Sequence, residues 1–254
     1  MSRSRISPLF TPSKYSPMID SVVQHIENAV SSRKKLLAIL IDPQTTSLTA
    51  LPELCERIEN IRADFIFVGG SDVAAGLTEQ LVKEIRVHSS IPIVLFPGDY
   101  TQITDQADAL LFLSLLSGRN PEYLIEQQIK SVPLLKKTSL EVIPTGYILI
   151  DGGTSSSVIR VSKTKPIPQH QVQLAVDTAI AGMYKGKKLI YLEAGSGAKE
   201  PVNMELLASV KRAVSIPVIV GGGIRTKEQL NNAFANGADL VVIGTAFEQN
   251  TFKP

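Results

Sequence analysis

Residues 217–247 read PVIVGGGIRTKEQLNNAFANGADLVVIGTAF and contain two short apolar runs joined by a helical pattern. The runs, Pro217–Gly223 and Leu240–Phe247, are continuous rather than alternating, which is typical of strands covered on both faces. Thr226-Lys227-Glu228-Gln229 is a capping-box pattern that predicts the start of the helix between them, and Asn236-Gly237 predicts its end. The stretch therefore predicts one strand–helix–strand unit of a parallel sheet.

Six more runs of the same kind precede this unit. They are Leu36–Asp42, Phe65–Ser71, Pro92–Gly98, Ala109–Leu116, Gly146–Asp151 and Lys188–Gly195. Eight strands that alternate with helices in 254 residues predict an α/β fold, a (β/α)8 TIM barrel, as a single domain over residues 1–254. An open doubly wound sheet is the alternative. Residues 1–14 are expected to form a flexible N-terminal tail.

Three irregularities are expected in this barrel. Only about ten residues separate Gly98 from Asp108, too few for a full crossover helix, so the helix after strand 3 should be missing or vestigial. Glu248–Pro254 leaves room for a minimal closing helix at most. An extra helix, from about Pro17 to Ser32, precedes strand 1 and is expected to cover the bottom of the barrel or to support an oligomer.

Two further helices are predicted between the strands. One has apolar residues at helical spacing and begins with Asn120 as its N-cap and Pro121 as its first residue; those apolar residues are Leu124, Ile125, Ile129 and Val132. The other runs from about Gln171 to Tyr184 and ends at Gly186. These segments fill the crossovers that a parallel barrel requires.

The composition excludes several classes of protein. Lys and Arg total 26 and Asp and Glu total 24, a net charge of +2 that gives no indication of nucleic-acid binding. Cys55 is the only cysteine, so no intramolecular disulfide is expected and a reducing compartment is favoured. We find no secretory signal and no run of the roughly 18 apolar residues that a membrane span needs. A soluble, cytoplasmic protein is therefore expected.

Glycines at the ends of strands 7 and 8 predict a phosphate site. In a (β/α)8 barrel the active site lies where the strands end, and phosphate is often bound at the last two. Gly221-Gly222-Gly223 and Gly244-Thr245 occupy these positions. Glycines let backbone N–H groups approach an anion closely. The alternative is that they only permit sharp turns.

Glu193 ends strand 6 beside this predicted site. A carboxylate followed by the loop Gly195-Ser196-Gly197 would be able to accept a proton from a substrate hydroxyl while the loop helps to hold the anion. The alternative is a salt-bridged glutamate at the rim of the barrel.

Asp42 and Ser71 end the neighbouring strands 1 and 2. A carboxylate and a hydroxyl suit a loosely held Mg²⁺ that completes its coordination with water and substrate phosphate. Each side chain would equally well cap the helix that follows it. Asp99 and Asp151 are further carboxylates expected on the same rim.

Taken together, the strand ends resemble those of the geranylgeranylglyceryl phosphate synthase family, which includes heptaprenylglyceryl phosphate synthase. The resemblance covers about Leu36 to Glu248. Its motifs are Leu40-Ile41-Asp42-Pro43, Val68-Gly69-Gly70-Ser71, Gly153-Thr154-Ser155-Ser156-Ser157-Val158, Thr164-Lys165-Pro166-Ile167-Pro168, Tyr191-Leu192-Glu193-Ala194-Gly195-Ser196-Gly197-Ala198, Val220-Gly221-Gly222-Gly223-Ile224-Arg225 and Val242-Ile243-Gly244-Thr245. YLEAGSGA followed by GGGI and GT is specific to the family.

The resemblance implies a Mg²⁺-dependent prenyltransferase that joins sn-glycerol 1-phosphate to a prenyl diphosphate, most often geranylgeranyl diphosphate, through an ether bond. It implies Asp42 and Ser71 as metal ligands and Glu193 as the base. The implied glycerol-phosphate positions are Tyr191, Leu192, Glu193, Ala194, Gly195, Ser196, Gly197, Gly222, Gly223, Gly244 and Thr245. It also implies a barrel that lacks the helix after strand 3, a homo-oligomer, and at most peripheral contact with a membrane.

One motif departs from the family, which commonly has Asp and Lys after Pro43 where this chain has Gln44 and Thr45. Lys163 or Lys165, on the loop after strand 5, is expected to compensate for the lost positive charge near the diphosphate.

Two other functions stay open at this point. A sugar-phosphate isomerase or cyclase would use Asp42 and Asp151, but residues 96–99 lack the second phosphate motif such enzymes tend to have near strand 3. A non-catalytic barrel that binds a phosphorylated ligand is the other alternative.

Overall fold

The computed structural model describes residues 21–253 and shows eight parallel strands closed into a barrel in chain order. The strands are β1 Leu36–Ile41, β2 Phe65–Val68, β3 Ile93–Leu95, β4 Ala109–Leu115, β5 Glu141–Leu149, β6 Leu189–Glu193, β7 Val218–Gly221 and β8 Leu240–Ile243. The barrel closes where β8 pairs with β1, with Leu240 opposite Leu36. The predicted TIM barrel is confirmed.

Helices surround this barrel in the order expected of βα units. They are α1 Val22–Ser31, α2 Leu51–Asn60, α3 Leu77–His88, α4 Gln127–Leu135, α5 Ser157–Ser162, α6 Val172–Tyr184, α7 Met204–Ala213, α8 Lys227–Ala235 and α9 Thr245–Glu248. Thr226 caps α8 as predicted, accepting from the Gln229 N–H at 3.2 Å. No helix within residues 21–253 has the length and apolar character that crossing a membrane requires.

Side chains alternate between two apolar layers along each strand. On β6, Leu189 and Tyr191 point into the barrel, whereas Ile190 and Leu192 pack outward against the helices. Cys55 of α2 is buried in the outer layer, as a small core residue. The period of two that separates these layers decides which strand-end side chains reach the open end of the barrel.

The structure has the two expected irregularities among the barrel's crossover helices, after strand 3 and after strand 8. Between β3 and β4 there is only one 3₁₀ turn, Tyr100–Gln102, so the helix after strand 3 is vestigial. After β8 the chain forms only the four-residue helix α9. The first of these leaves one side of the upper barrel without a covering helix.

The extra helix α1 covers the bottom of the barrel. Its buried residues Val22, Ile26 and Ala29 pack in the inner layer, and His25 contacts the Phe65 ring edge-on at 5.3 Å between centroids. The Glu141 carboxylate at the start of β5 accepts the first helical N–H groups. The predicted start at Pro17 and the predicted tail over residues 1–14 lie outside the described residues.

Two strand boundaries differ from those expected by more than the others do. β5 begins at Glu141, five residues before the predicted Gly146, because residues 141–147 pair with the whole length of β4. β8 ends at Ile243, and Gly244 turns the chain into α9. In both places strand pairing, rather than the local apolar run, sets the boundary.

The helix predicted after Asn120 does not bury its apolar row. Residues Glu122–Glu126 form a π-helical turn before α4, and the extra residue rotates the face that meets the barrel. α4 buries Gln128 and Ser131, whereas Ile125, Ile129 and Val132 are exposed. The apolar row therefore indicates the helix but does not mark the face that packs against the barrel.

Candidate functional site

A cavity of about 1090 Å³ opens at the carboxyl ends of the strands. It gathers nearly all the predicted site residues from five strand ends, and those that line it are Asp42, Ser71, Tyr191, Glu193, Gly195, Ser196, Gly197, Gly222, Gly223, Gly244 and Thr245. Leu192 and Ala194 do not line it, because their side chains pack in the outer layer. Any contact of these two with a ligand is limited to their backbone.

Glu193 is the buried carboxylate at the centre of this site. Its Oε1 accepts a hydrogen bond from the Gly195 N–H at 2.7 Å. Burial raises the pKa of Glu193 to about 7, and the Gly195 N–H offsets part of that rise. It forms none of the ion pairs found in residues 21–253, which argues against a salt-bridged rim glutamate. A carboxyl that titrates near neutrality is suited to accept a proton.

Two glycines let β7 approach this carboxylate. A Cβ on Gly221 would lie 2.7 Å from Glu193 Oε2, and one on Gly222 would lie 2.6 Å from Oε1. Gly222 also has φ +82°, in the left-handed region that favours glycine. The role of glycine here is therefore close approach to Glu193, beyond permitting a turn.

The Tyr191 hydroxyl lies beside the same carboxylate. A Cβ on Gly221 would be 2.4 Å from this hydroxyl as well. The Tyr191 hydroxyl is close enough to Glu193 to lower the pKa of that carboxyl. Its geometry is not that of a hydrogen bond, and the buried Tyr191 oxygen has no hydrogen-bond partner among residues 21–253. The Tyr191 ring stacks on Phe96, with 5.0 Å between centroids, and meets Tyr147 edge-on. A buried hydroxyl without a partner is available to a ligand.

The glycine loops present free backbone donors. Within the described part of the chain, the N–H groups of Ser196, Gly197, Gly222 and Gly223 donate to no protein acceptor. The Ser196 hydroxyl meets the Thr245 hydroxyl at 3.0 Å and so joins the β6 loop to the end of β8. Free N–H groups on two glycine loops that line the same cavity are suited to bind an anion.

Asp42 lies at the cavity end of β1, the strand that pairs with β8. Its carboxylate rests on Gly70, where a Cβ would lie 2.6 Å from Oδ1, and it accepts the Gln44 N–H at 2.9 Å. Burial raises the pKa of Asp42 above its usual value, and the Gln44 N–H opposes that rise. The next helical residues begin at Leu48, so Asp42 caps no helix.

Ser71 follows the glycine pair that ends the next strand, and no helix spans the residues directly after it, since α3 begins at Leu77. The buried Gln102 fixes this loop by binding both backbone groups of Gly70, at 3.3 and 2.8 Å. Residues 21–253 contain no cluster of three or more His, Cys, Asp or Glu side chains. One carboxylate and one hydroxyl fit a cation that is held mainly by water and substrate oxygens.

The departure from the family at Gln44 has a structural counterpart. The Gln44 side-chain oxygen accepts the Ala74 N–H at 3.0 Å, which ties the loop after β1 to the loop that carries Ser71. Lys163 and Lys165 do not line the cavity, so the compensation expected of them is absent. The arginines that do line it are Arg57, Arg160 and Arg225.

Asp99 lines the cavity but caps the 3₁₀ turn by accepting the Thr101 N–H at 2.7 Å. Asp151 does not line the cavity and accepts the Gly153 N–H at 2.9 Å within a turn. The second carboxylate of the isomerase alternative is therefore not at the site.

Glu248 was not found from the sequence. Its Oε1 accepts the Asp42 N–H at 3.0 Å and the Thr46 hydroxyl at 2.9 Å. Burial raises the pKa of Glu248, while these two hydrogen bonds lower it. Its position three residues after Thr245 of the GT motif is the only signal that the sequence offers.

Part of the remaining wall of the cavity is apolar. This part extends over β4, the turn before α4 and α5, on the side where the helix after β3 is missing, and includes Leu111, Phe112, Leu113, Tyr123, Val158 and Val161. The site therefore combines an anion-binding end with an apolar extension.

Comparisons with known proteins agree with this arrangement. Residues 29–253 match the PcrB family. The chain is 53% identical to a geranylgeranylglyceryl phosphate synthase of Zunongwangia profunda over 91% of this chain and 99% of that protein. It is 50% identical to the enzyme of the same name from Flavobacterium johnsoniae, over 92% and 96%.

A solved structure is also similar. It is the (S)-3-O-geranylgeranylglyceryl phosphate synthase of Thermoplasma acidophilum in complex with its substrate sn-glycerol-1-phosphate, at 34% identity. The TM-score is 0.86, and the match covers 91% of this chain and 93% of that one. The chain therefore belongs to the PcrB family, together with these geranylgeranylglyceryl phosphate synthases.

Proposed function

We propose that this protein is a prenyltransferase that forms the ether bond between sn-glycerol 1-phosphate and a prenyl diphosphate. The C3 oxygen of the glycerol bonds to C1 of the prenyl chain, the bond from C1 to the diphosphate oxygen breaks, and the hydroxyl proton passes to Glu193. The observation that carries the proposal is the buried Glu193 carboxylate, placed beside free backbone N–H groups from two glycine loops. The names of the relatives support the same activity.

The glycine loops hold the phosphate in this proposal. The N–H groups of Ser196, Gly197, Gly222 and Gly223 bind its oxygens, and Gly244 with Thr245 closes the site from β8. A phosphate held there brings the glycerol C3 hydroxyl within reach of Glu193 and of the Tyr191 hydroxyl. Fixing the nucleophile in this way lowers the entropic part of the barrier.

Glu193 is the base. With a pKa of about 7, a large share of the carboxyl groups is ionised at neutral pH and each regains a proton readily. The Gly195 N–H and the glycines of β7 orient the carboxylate toward the cavity. No other carboxylate is proposed for this step.

We further propose that Asp42 and Ser71 hold Mg²⁺. The bound ion would neutralise charge on the leaving diphosphate. Glu248 and Gln44 hold the loop that carries Asp42, through the Asp42 and Ala74 N–H groups. Arg160, on the same side of the cavity, adds positive charge near Ser71 and pairs with Asp72 at 3.6 Å.

The apolar wall over β4 and α5 is the proposed site of the prenyl chain. Geranylgeranyl diphosphate is the proposed donor, because the relatives' names contain the geranylgeranyl group.

The exposed Ile125, Ile129 and Val132 form an apolar row, which supports a homo-oligomer. We propose a cytoplasmic location, at most peripheral contact with membranes for the lipid substrate and product, and no nucleic-acid partner.

A product assay tests the proposal. Purified protein is incubated with Mg²⁺, labelled sn-glycerol 1-phosphate and prenyl diphosphates from farnesyl to heptaprenyl, and lipid is extracted. A labelled ether lipid in the organic phase is the expected result. Binding of glycerol phosphate without product for any donor would favour the non-catalytic alternative, and absence of both would favour the isomerase or cyclase class.

A further inference from the structure

The Arg225 side chain joins the two loops of the candidate phosphate site. Nη1 lies 3.3 Å from the Lys199 carbonyl oxygen and 3.3 Å from that of Gly223, and it donates to both. Nη2 donates to the Ala198 carbonyl. One guanidinium therefore binds carbonyls of the β6 loop and of the β7 loop at the same time.

The backbone of Arg225 is itself fixed. Its N–H donates to Gln229 Oε1 at 2.7 Å, and its carbonyl accepts the Lys253 N–H at 3.0 Å. Because α8 and the C-terminal segment both hold this residue, the side chain extends from a rigid base. These backbone contacts place Arg225 at the cavity wall.

The charge of Arg225 is not neutralised by a neighbour. Within residues 21–253, no Asp or Glu oxygen lies within 4.0 Å of its nitrogens, and its donors are used on neutral carbonyls. The residue follows Gly223 by two positions in the chain. An unpaired guanidinium beside free N–H groups makes the local potential positive.

We propose that Arg225 is a positioning residue for the phosphate of sn-glycerol 1-phosphate. It holds residues 195–199 against Gly222 and Gly223 so that their free N–H groups converge on one anion, and its charge favours the dianion. This inference rests on the proposed function. Arg225 binds carbonyls rather than reacting atoms, so it takes no part in the proton transfer assigned to Glu193.

Isothermal titration calorimetry tests this proposal. sn-Glycerol 1-phosphate is titrated, without Mg²⁺ or prenyl donor, into wild type, Arg225→Met and Arg225→Lys. We expect Arg225→Met to bind at least about tenfold more weakly, because several hydrogen bonds to a charged group are lost. Arg225→Lys keeps the charge but not the planar fork, so its affinity should be intermediate. Arg212→Met, on the exposed face of α7, removes the same charge elsewhere and should bind as wild type does.

Two further measurements separate this role from a general effect on folding. Hydrogen exchange of residues 195–199 should be faster in Arg225→Met. The KM for glycerol phosphate should rise, while the KM for the prenyl donor stays within about twofold, since the donor lies at the other side of the cavity. If Arg225→Met does not fold, the affinity of Arg225→Lys decides.

Equal affinity and equal exchange in wild type and the folded variants would overturn the inference. So would a uniform loss of affinity for both substrates together with a lower melting temperature, which is the sign of a general structural role. If wild type itself binds no glycerol phosphate, the proposed function fails instead, and the two failures are distinguishable.

Discussion

Glu193 Oε1 accepts a hydrogen bond from the Gly195 N–H over 2.7 Å, and this bond links the end of β6 to the loop that follows it. This hydrogen bond stabilises the ionised carboxylate of Glu193, whereas burial favours the protonated carboxyl. Burial has the larger effect and raises the pKa of Glu193 to about 7. The same contact therefore orients the carboxylate and keeps it able to titrate at neutral pH.

Glu193→Gln should abolish most turnover while retaining substrate binding. The amide keeps an oxygen that accepts the Gly195 N–H but cannot take a proton, so kcat should fall by about 10²–10⁴-fold. The measurement is steady-state kinetics with glycerol phosphate varied, together with its equilibrium affinity. Equal kcat in variant and wild type would remove Glu193 as the base.

The same substitution should stabilise the protein at alkaline pH. The folded state holds a proton on Glu193 up to about pH 7, whereas the unfolded chain releases it near 4.5, so folded-state stability falls as pH rises between these values. Glu193→Gln removes this loss, which amounts to at most about 3 kcal/mol. In urea unfolding, the free energy of unfolding of Glu193→Gln minus that of wild type should be larger at pH 8 than at pH 5. An equal difference at the two pH values would contradict the raised pKa of Glu193.

Gly222→Ala should inactivate the enzyme by displacing Glu193 and the start of the loop that follows it. Its Cβ would lie 2.6 Å from Glu193 Oε1, 2.7 Å from the Gly195 nitrogen and 2.9 Å from the Ala194 nitrogen, so the carboxylate and this backbone must shift. Gly186→Ala is a matched control, since Gly186 has the same φ of +82° and no atom within 4 Å of the added carbon. Both should lose about 1 kcal/mol of stability from the left-handed backbone. Gly222→Ala should lose more than this because of its close contacts, and only Gly222→Ala should lose activity. Similar activity losses in both would refute the close-approach argument.

Asp42→Asn should weaken the response to Mg²⁺. The amide still accepts the Gln44 N–H, so the loop is kept while the anionic ligand is lost, and half-saturation should need at least about tenfold more Mg²⁺. Activity and the Mg²⁺-dependent melting temperature are both titrated. Asp151→Asn, away from the cavity, is the control. An unchanged Mg²⁺ titration in Asp42→Asn would exclude Asp42 as a ligand.

The barrel was predictable because its signals are local. A continuous apolar run indicates a strand covered on both faces, and the short stretch between Gly98 and Asp108 excludes a crossover helix by length alone. Strand ends then predict the rim of the site, since parallel strands all end at one face. The grouping of Asp42, Glu193 and the glycines at one cavity follows from this geometry.

The features that were missed depend on contacts between distant residues. Glu248 reaches Asp42 only because β8 closes on β1, and Arg225 bridges two loops that no local pattern relates. The buried face of α4 does not follow its apolar row, because a π-helical turn before Gln127 shifts the helical phase. The spacing of apolar residues is interpreted on the assumption of an unbroken α-helix, so it does not reveal such a turn.

In the proposed reaction the glycerol C3 oxygen attacks the prenyl carbon beside Glu193. Oxygen labelling tests this: sn-glycerol 1-phosphate with ¹⁸O in its C3 hydroxyl is incubated with geranylgeranyl diphosphate and Mg²⁺, and the lipid and the diphosphate are analysed by mass spectrometry. We expect an ether lipid that retains the ¹⁸O, unlabelled diphosphate, and little product from Glu193→Gln. Absence of an ether lipid, or ¹⁸O found in the released diphosphate, would contradict it.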